Sequence, residues 1–217
     1  MKELICEFPN SIPDMLCEDI INMYEIEQDR IYEGIVQSGL RKEVKDTTDL
    51  VINKQDDKWL KIEKFLYNEL GRCYKEYVKK INKEFSFDDS VFENTDKSYK
   101  MLDENCFVHN FMIQKYNKGV GKYIYHDDFM IDNLENSYRT VTFLWYLNTI
   151  EHGGTTDFLN GKVQIKPERG KLVLFPASWC FPHCGRTPLS DDKYIITNWF
   201  YEKFSDPIQS VKKNSIF

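Results

Sequence analysis

The chain has 217 residues, of which 41% are hydrophobic, 15% aromatic and 29% charged, with a formal net charge of -6. That length supports one domain with a sizeable core. The acidic balance argues against nucleic acid as a main partner, because phosphate binding favours clustered Lys and Arg. No apolar run approaches the length of a membrane span, and residues 1–8 carry acids and lack the apolar core and small-residue cleavage site of a secretory leader. The expectation is a soluble, cytoplasmic protein. Its six cysteines, at irregular spacings, are read as reduced thiols.

In chain order, Pro13 to about Asp29 reads as a first helix, with Met15, Leu16, Ile20, Ile21 and Met23 as its buried stripe. Ile31 to Val36 reads as a short strand. Gly39 to Lys54 is charged and aperiodic, and reads as a loop. Asp56 to about Phe85 carries the strongest helical pattern: Ile62, Leu66, Leu70, Cys73, Tyr77 and Ile81 recur at steps of three and four. Ser86 to Asn105 is polar and irregular, a second loop.

From Cys106 onward the period changes to two. Candidate strands are 106–116, 123–128, 139–147, 162–165, 171–175, 181–183 and 193–201, separated by turn signals such as Asn117-Lys118-Gly119, Asn160-Gly161 and Glu168-Arg169-Gly170. Helices followed by many short strands imply an α+β layout, a curled β-sandwich or barrel braced by helices.

Within the strand 123–128, His126 and Asp128 are two residues apart and so share a face. An imidazole beside a carboxylate offers two metal ligands, and His183 is the obvious third. Two His and one carboxylate leave coordination positions open, as in the facial triad of non-heme Fe(II) oxygenases. Spacing alone leaves two readings: a metal site, or histidines satisfied within the fold. Cys180 and Cys184 flank His183, but no second Cys pair supports a zinc site there. His109 and His152 read as structural. Lys193 opens the apolar run Tyr194-Ile195-Ile196; drawn inward, it would need an anionic partner.

The segments Gln114-Lys115-Tyr116-Asn117, His126-Asp127-Asp128, Arg139 to Asn148, Gly153 to Phe158, Pro167 to Phe175, His183 and Lys193 resemble, in order and spacing, the catalytic domain of Fe(II)- and 2-oxoglutarate-dependent dioxygenases, the prolyl 4-hydroxylase-like branch above all. The resemblance implies a double-stranded β-helix (jelly-roll) core at residues 106–205, braced by helices and loops of residues 1–105. It implies that His126, Asp128 and His183 bind Fe(II), and that Lys193 pairs with the distal carboxylate of 2-oxoglutarate. Tyr116, Tyr146 and Thr197 fall at positions lining the cosubstrate pocket, and Arg139 and Trp199 at positions beside the substrate. Fe(II), 2-oxoglutarate and O2, with ascorbate as a reductant, are the implied cofactors.

The expected activity is hydroxylation of a prolyl residue in a peptide or protein. The rivals are hydroxylation of a free amino acid or other small molecule, a nucleic-acid demethylase of the same superfamily, and a non-catalytic metal-binding or interaction module on this fold. The acidic charge and the missing arginine-rich ending after the distal His argue against the demethylase. A degenerate module has little need of three ligands and Lys193 together; a structural zinc at the same residues would leave Lys193 without a purpose. The resemblance also departs in places: Thr155 stands where the family often has an acid, and the acid- and Asn-rich stretch between His126 and Arg139 is this chain's own.

Overall fold

The computed structural model describes residues 1–52, 56–84, 102 and 105–204. Strand β1 (Cys6–Phe8) leads into helix α1 (Asp14–Ile26). Pro13 stands just before the first helical turn, where a residue without an N–H is well tolerated. The buried stripe of α1 is Cys17, Ile20 and Tyr24, three and four residues apart. The expected stripe therefore shifts: Ile20 holds, but Met15 is 78% exposed and Leu16, Ile21 and Met23 are half-buried. Apolar residues occupy several sides of this helix, and the Tyr24 ring reaches the core while its hydroxyl bonds Thr48 at 2.7 Å. The helix also ends earlier than expected, before a short 3-10 turn at Gln28–Arg30.

The expected strand at 31–36 is reduced to β2 (Tyr32–Glu33). The stretch expected to be a loop instead carries β3 (Lys45–Asp46) and β4 (Thr48–Val51); positions 53 and 54 lie outside the described residues. Lys45, Thr47 and Asp49 are buried and bonded to one another, so the inward positions of these strands read as polar in the sequence.

Helix α2 (Asp57–Glu84) follows the expected pattern, with Ile62, Leu66, Leu70, Cys73, Tyr77 and Ile81 buried and Trp59 added to the same face. The Asp56 carboxylate accepts from the Lys58 N–H at 2.8 Å and satisfies one of the free donors of the first turn. The second expected loop lies outside the described residues apart from Leu102 and Asn105.

The remaining strands are β5 (Met112–Tyr116), β6 (Lys122–His126), β7 (Ile131–Asp132), β8 (Ser137–Tyr146), β9 (Thr156–Phe158), β10 (Val163–Ile165), β11 (Leu172–Pro176), β12 (His183–Gly185) and β13 (Lys193–Lys203). The sequence reading missed β7 and β9 and placed β12 two residues early. The second expected strand, 123–128, ends two residues sooner, since β6 stops at His126 and Asp128 lies beyond its end.

These strands form two antiparallel sheets. The larger runs β1-β11-β8-β13-β5-β4-β2, with β7 beside β8, and the smaller runs β10-β9-β12-β6-β3. The sheets are not closed into a barrel. This is the double-stranded β-helix, or jelly-roll, expected from the sequence, with two helices added. Both faces of the larger sheet are buried, which is why its strands read as nearly continuous apolar runs. On β8, Val141, Phe143 and Trp145 join the helix-side core with Trp59, Leu66 and Tyr77, while Leu144 and Tyr146 join Phe158, Phe175 and Ile195 in the core between the sheets. On β13 the same alternation puts Tyr194 and Ile196 toward the helices and Lys193, Ile195, Thr197 and Trp199 on the inner side. Among the described residues no helix is long and apolar enough to cross a membrane.

Beyond the pairing of β1 with β11, the N-terminal segment is held close to the sheet at Gly170. Gly170, at a φ of +74°, accepts from the Ile12 N–H at 3.1 Å and donates to the Tyr146 carbonyl at 2.9 Å. A Cβ at this position would stand 2.3 Å from the Ile12 carbonyl oxygen. Gly170→Ala is therefore expected to destabilise the protein by about 2 kcal/mol or more, read from urea unfolding, because both the backbone conformation and the close approach disfavour a side chain.

Candidate active site

Strand β12 pairs antiparallel with β6, and His183 lies directly opposite His126. Directly paired residues share a face, so both imidazoles project into the space between the sheets. The chain leaves β6 after His126 and brings Asp128 back beneath the two rings. Asp128 Oδ1 is 3.7 Å from His126 Nε2, and Oδ2 is 3.5 Å from His183 Nε2. One potential ligand atom from each of the three residues lies within 4.8 Å of the others.

The hydrogen bonds around the cluster set its chemistry. His126 Nδ1 is 2.8 Å from the Ile124 carbonyl, and His183 Nδ1 is 3.2 Å from the Phe181 carbonyl. A carbonyl oxygen only accepts, so each Nδ1 carries the proton and each Nε2 lone pair faces Asp128. Burial, helped by the neighbouring His183, pushes the His126 pKa down to about 4, so its ring is neutral at pH 7. Burial works against the Asp128 carboxylate, but the two imidazoles and the Thr142 hydroxyl, which donates to Oδ2 at 2.7 Å, outweigh it and hold its pKa below the usual value. Two imidazole nitrogens and one carboxylate, with the Nδ1 protons turned away, fit a divalent transition metal such as Fe(II) or Zn(II). Tyr123 stacks on the His126 ring at 3.5 Å and restrains it.

The cluster opens into a cavity of about 450 Å³. Of the other residues singled out in the sequence, Tyr116, Thr197, Lys193, Arg139 and Trp199 line this cavity, and Tyr146 does not. Tyr146 is fully buried behind the wall, and its hydroxyl donates at 2.7 Å to that of Thr156, which does line it. The Thr197 hydroxyl is turned to the Phe143 carbonyl at 2.8 Å. The Arg139 guanidinium sits over the Trp199 indole at 3.3 Å.

Lys193 is 1% exposed. Its ammonium donates to the Gly154 carbonyl at 2.9 Å and lies 4.1 Å from the centre of the Tyr116 ring. No carboxylate lies within ion-pair distance of it among the described residues. Burial alone lowers its pKa to about 7, against weak opposing pulls from Cys184 and Asp157. A buried ammonium without a counter-charge is costly to folding, and its cavity wall is suited to an anion.

Three features escaped the sequence reading. Thr142 bonds the ligand carboxylate, but a lone Thr inside an apolar strand gives no signal of such a role. Tyr123 was visible as an aromatic three residues before His126. The Lys45–Asp49 ion pair, which also lines the cavity, was hidden in a stretch without periodicity.

Residues 111–201 match the family model described as the 2OG-Fe(II) oxygenase superfamily. This segment contains β5 to β12 and most of β13, and with them the whole His–Asp–His cluster and Lys193. No curated protein matches the chain. Among solved structures, a viral collagen prolyl hydroxylase from Paramecium bursaria Chlorella virus-1, in a 2OG complex, is 18% identical with a TM-score of 0.59, over 91% of this chain and 96% of that one. A prolyl-4-hydroxylase from Pseudomonas putida is 15% identical with a TM-score of 0.62, over 92% and 93%. A prolyl hydroxylase from Trichoplax adhaerens, in complex with a hypoxia inducible factor oxygen degradation domain peptide fragment, is 18% identical with a TM-score of 0.64, over 92% and 84%. The likeness extends over the N-terminal helices as well as the matched segment. The chain is thus similar, over residues 111–201, to the 2OG-Fe(II) oxygenase superfamily, and it shares its fold with these prolyl hydroxylases.

The isolated Lys193 charge carries a consequence that needs no ligand. A depressed lysine pKa is a folding penalty that is fully present below about pH 7 and fades as pH rises toward the ordinary lysine value. Lys193→Met is expected to make the unliganded protein more stable than the wild type at pH 6, with the difference shrinking by pH 9, as measured by urea denaturation at the two pH values.

Proposed function

We propose that this chain is an Fe(II)- and 2-oxoglutarate-dependent hydroxylase acting on a prolyl residue of a peptide or protein. The observation that carries the proposal is the presence, in one cavity, of the three converging ligand atoms and a buried lysine without a counter-ion. His126, Asp128 and His183 would hold Fe(II). Lys193 would hold the distal carboxylate of 2-oxoglutarate, which supplies the charge that the protein withholds. Tyr116, beside the ammonium, and Thr197 wall the cosubstrate; Tyr146 acts at one remove by fixing the Thr156 hydroxyl.

When bound, Fe(II) with 2-oxoglutarate and O2 supplies the oxidising power that converts 2-oxoglutarate to succinate and CO2 and places a hydroxyl on a substrate carbon. The chain's own residues position and exclude. The Nδ1 hydrogen bonds keep both Nε2 atoms aimed inward, Thr142 holds the carboxylate, and the apolar wall of Leu144, Phe175 and Ile195 keeps water from the deep end. No side-chain nucleophile or general base is required.

The prolyl assignment rests on Arg139 and Trp199. They match positions beside the substrate in prolyl hydroxylases, and here the Arg139 guanidinium lies over the Trp199 indole on the cavity wall. A rigid stack of this kind suits the apolar ring and carbonyl of a prolyl residue. The structural likeness to three prolyl hydroxylases, one holding a peptide fragment, points the same way. The open cavity favours a peptide over a fully enclosed small molecule.

Succinate formation from 2-oxoglutarate, under air with Fe(II) and ascorbate, is the direct test. A Pro-containing peptide is expected to stimulate it, with the product heavier by one oxygen. Turnover that no such peptide stimulates would move the substrate to a small molecule or another residue type. His126→Ala and Asp128→Ala are expected to lower turnover by more than about 100-fold while leaving the protein folded; near-normal turnover in either would sink the ligand assignment. Lys193→Met is expected to raise the KM for 2-oxoglutarate about 30-fold or more, the usual scale for truncating one partner of a buried charge pair.

A further inference from the structure

The cavity contains a second buried lysine. Lys45 is 4% exposed and, like Lys193, lines the wall. It comes from the corner where the chain passes from β3 in the smaller sheet to β4 in the larger one. The two lysines differ in charge balance. Lys45 donates to Asp49 Oδ2 at 2.6 Å, and Asp49 is itself held by the Thr47 hydroxyl at 2.8 Å and the Gln114 amide at 3.4 Å. Burial raises the Asp49 pKa against the pull of Lys45, Thr47 and Gln114; with the carboxylate ionised beside the ammonium, the pair as a whole is neutral.

The Lys45 ammonium is not fully engaged. It has three N–H donors, and among the described residues Asp49 is its one hydrogen-bond acceptor; the Tyr123 ring centre lies 5.7 Å away. The protein closes the outer side. A Cβ on Gly34 would meet Thr47 Oγ1 at 2.1 Å and Lys45 Cε at 3.0 Å, so the backbone at residue 34 lies directly against the lysine stem. The direction left to the spare donors is the cavity. Tyr123 also stacks on His126, which places Lys45 one ring away from the metal cluster.

We infer that Lys45 is a substrate-binding residue that donates to a neutral carbonyl oxygen of a peptide, and that Asp49 sets this preference by cancelling the lysine charge. The inference rests on the proposed hydroxylase function and narrows its substrate class. A bare buried ammonium, as at Lys193, favours an anion. In an ammonium–carboxylate pair the carboxylate's repulsion of a second carboxylate opposes the ammonium's attraction, yet the ammonium still donates a strong hydrogen bond to an amide carbonyl. One cavity would thus keep its two oxygen-rich guests apart: the dianionic cosubstrate at Lys193 and the uncharged peptide backbone at Lys45.

The experiment compares N-acetylprolinamide, a blocked alternating Ala–Pro decapeptide and the carboxylate N-acetylproline. Their dissociation constants are measured by NMR titration, without oxygen, on protein loaded with Fe(II) and saturated with 2-oxoglutarate. The wild type is expected to prefer the two neutral probes. Asp49→Asn, which leaves the Lys45 charge uncancelled, is expected to shift the amide-to-carboxylate preference about tenfold toward N-acetylproline. The double variant Lys45→Met with Asp49→Asn removes both charges and guards against a misfolded single variant. It is expected to bind the neutral probes about tenfold more weakly. If Asp49→Asn keeps the wild-type preference, or the double variant binds the amides as the wild type does, the Lys45 assignment is overturned while the hydroxylase reading stands. A wild type that binds none of the three probes removes the prolyl reading, and the assignment with it.

Discussion

The pairing of β6 with β12 is the constraint on which the site depends. It sets His183 opposite His126 across a single pair of strands. A one-residue slip would turn one imidazole to the far face of the smaller sheet and dissolve the cluster. Two features guard the register. The aromatic packing of Phe158 and Phe175 around His183 locks one side, and the stack of Tyr123 on His126 locks the other. Thr142, on β8 of the larger sheet, then fixes Asp128 and joins the two sheets at the site.

Electrostatics divides the same cavity into regions. The ligand cluster carries a buried carboxylate whose pKa is held below the usual value, while Lys193 is an amine held without a counter-charge. Burial penalises both kinds of charge. Within the cluster the protein outweighs that penalty at Asp128, and at Lys45 it supplies Asp49 as a counter-charge, but Lys193 has none. A residue that lowers stability in isolation and faces a cavity is best understood through what enters the cavity, and the proposed function brings a dianion there.

Much of this was legible in the sequence, and the exceptions are physical. The amphipathic period of α2 and the apolar runs of β8, β11 and β13 are strong signals because many side chains repeat one instruction. The His126–Asp128 spacing was informative even though Asp128 lies past the strand end, since a chain leaving β6 can still return a carboxylate to the same space. Strands β3, β4 and β9 were harder to see. The inward residues of β3 and β4 include Lys45 and Asp49, which cancel one another only in three dimensions, and β9 is a three-residue strand whose buried Asp157 is met by Arg186 from another segment. Tyr146 shows the complementary limit. Its strand position was read correctly, but a side chain can face the inter-sheet core and still stop one hydroxyl short of the cavity.

The division of labour between the sheets has a mechanical consequence. His126 and His183 belong to the smaller sheet, and Lys193 to the larger. On the proposed assignments a single 2-oxoglutarate molecule would be gripped at one end by each layer, since its keto-acid end meets the metal and its far carboxylate meets the lysine. The cosubstrate would then act as a cross-brace in a sandwich that is not closed into a barrel. Each round of chemistry would cut that brace by removing a carbon, so the stiffness of the fold around the substrate would rise and fall with turnover.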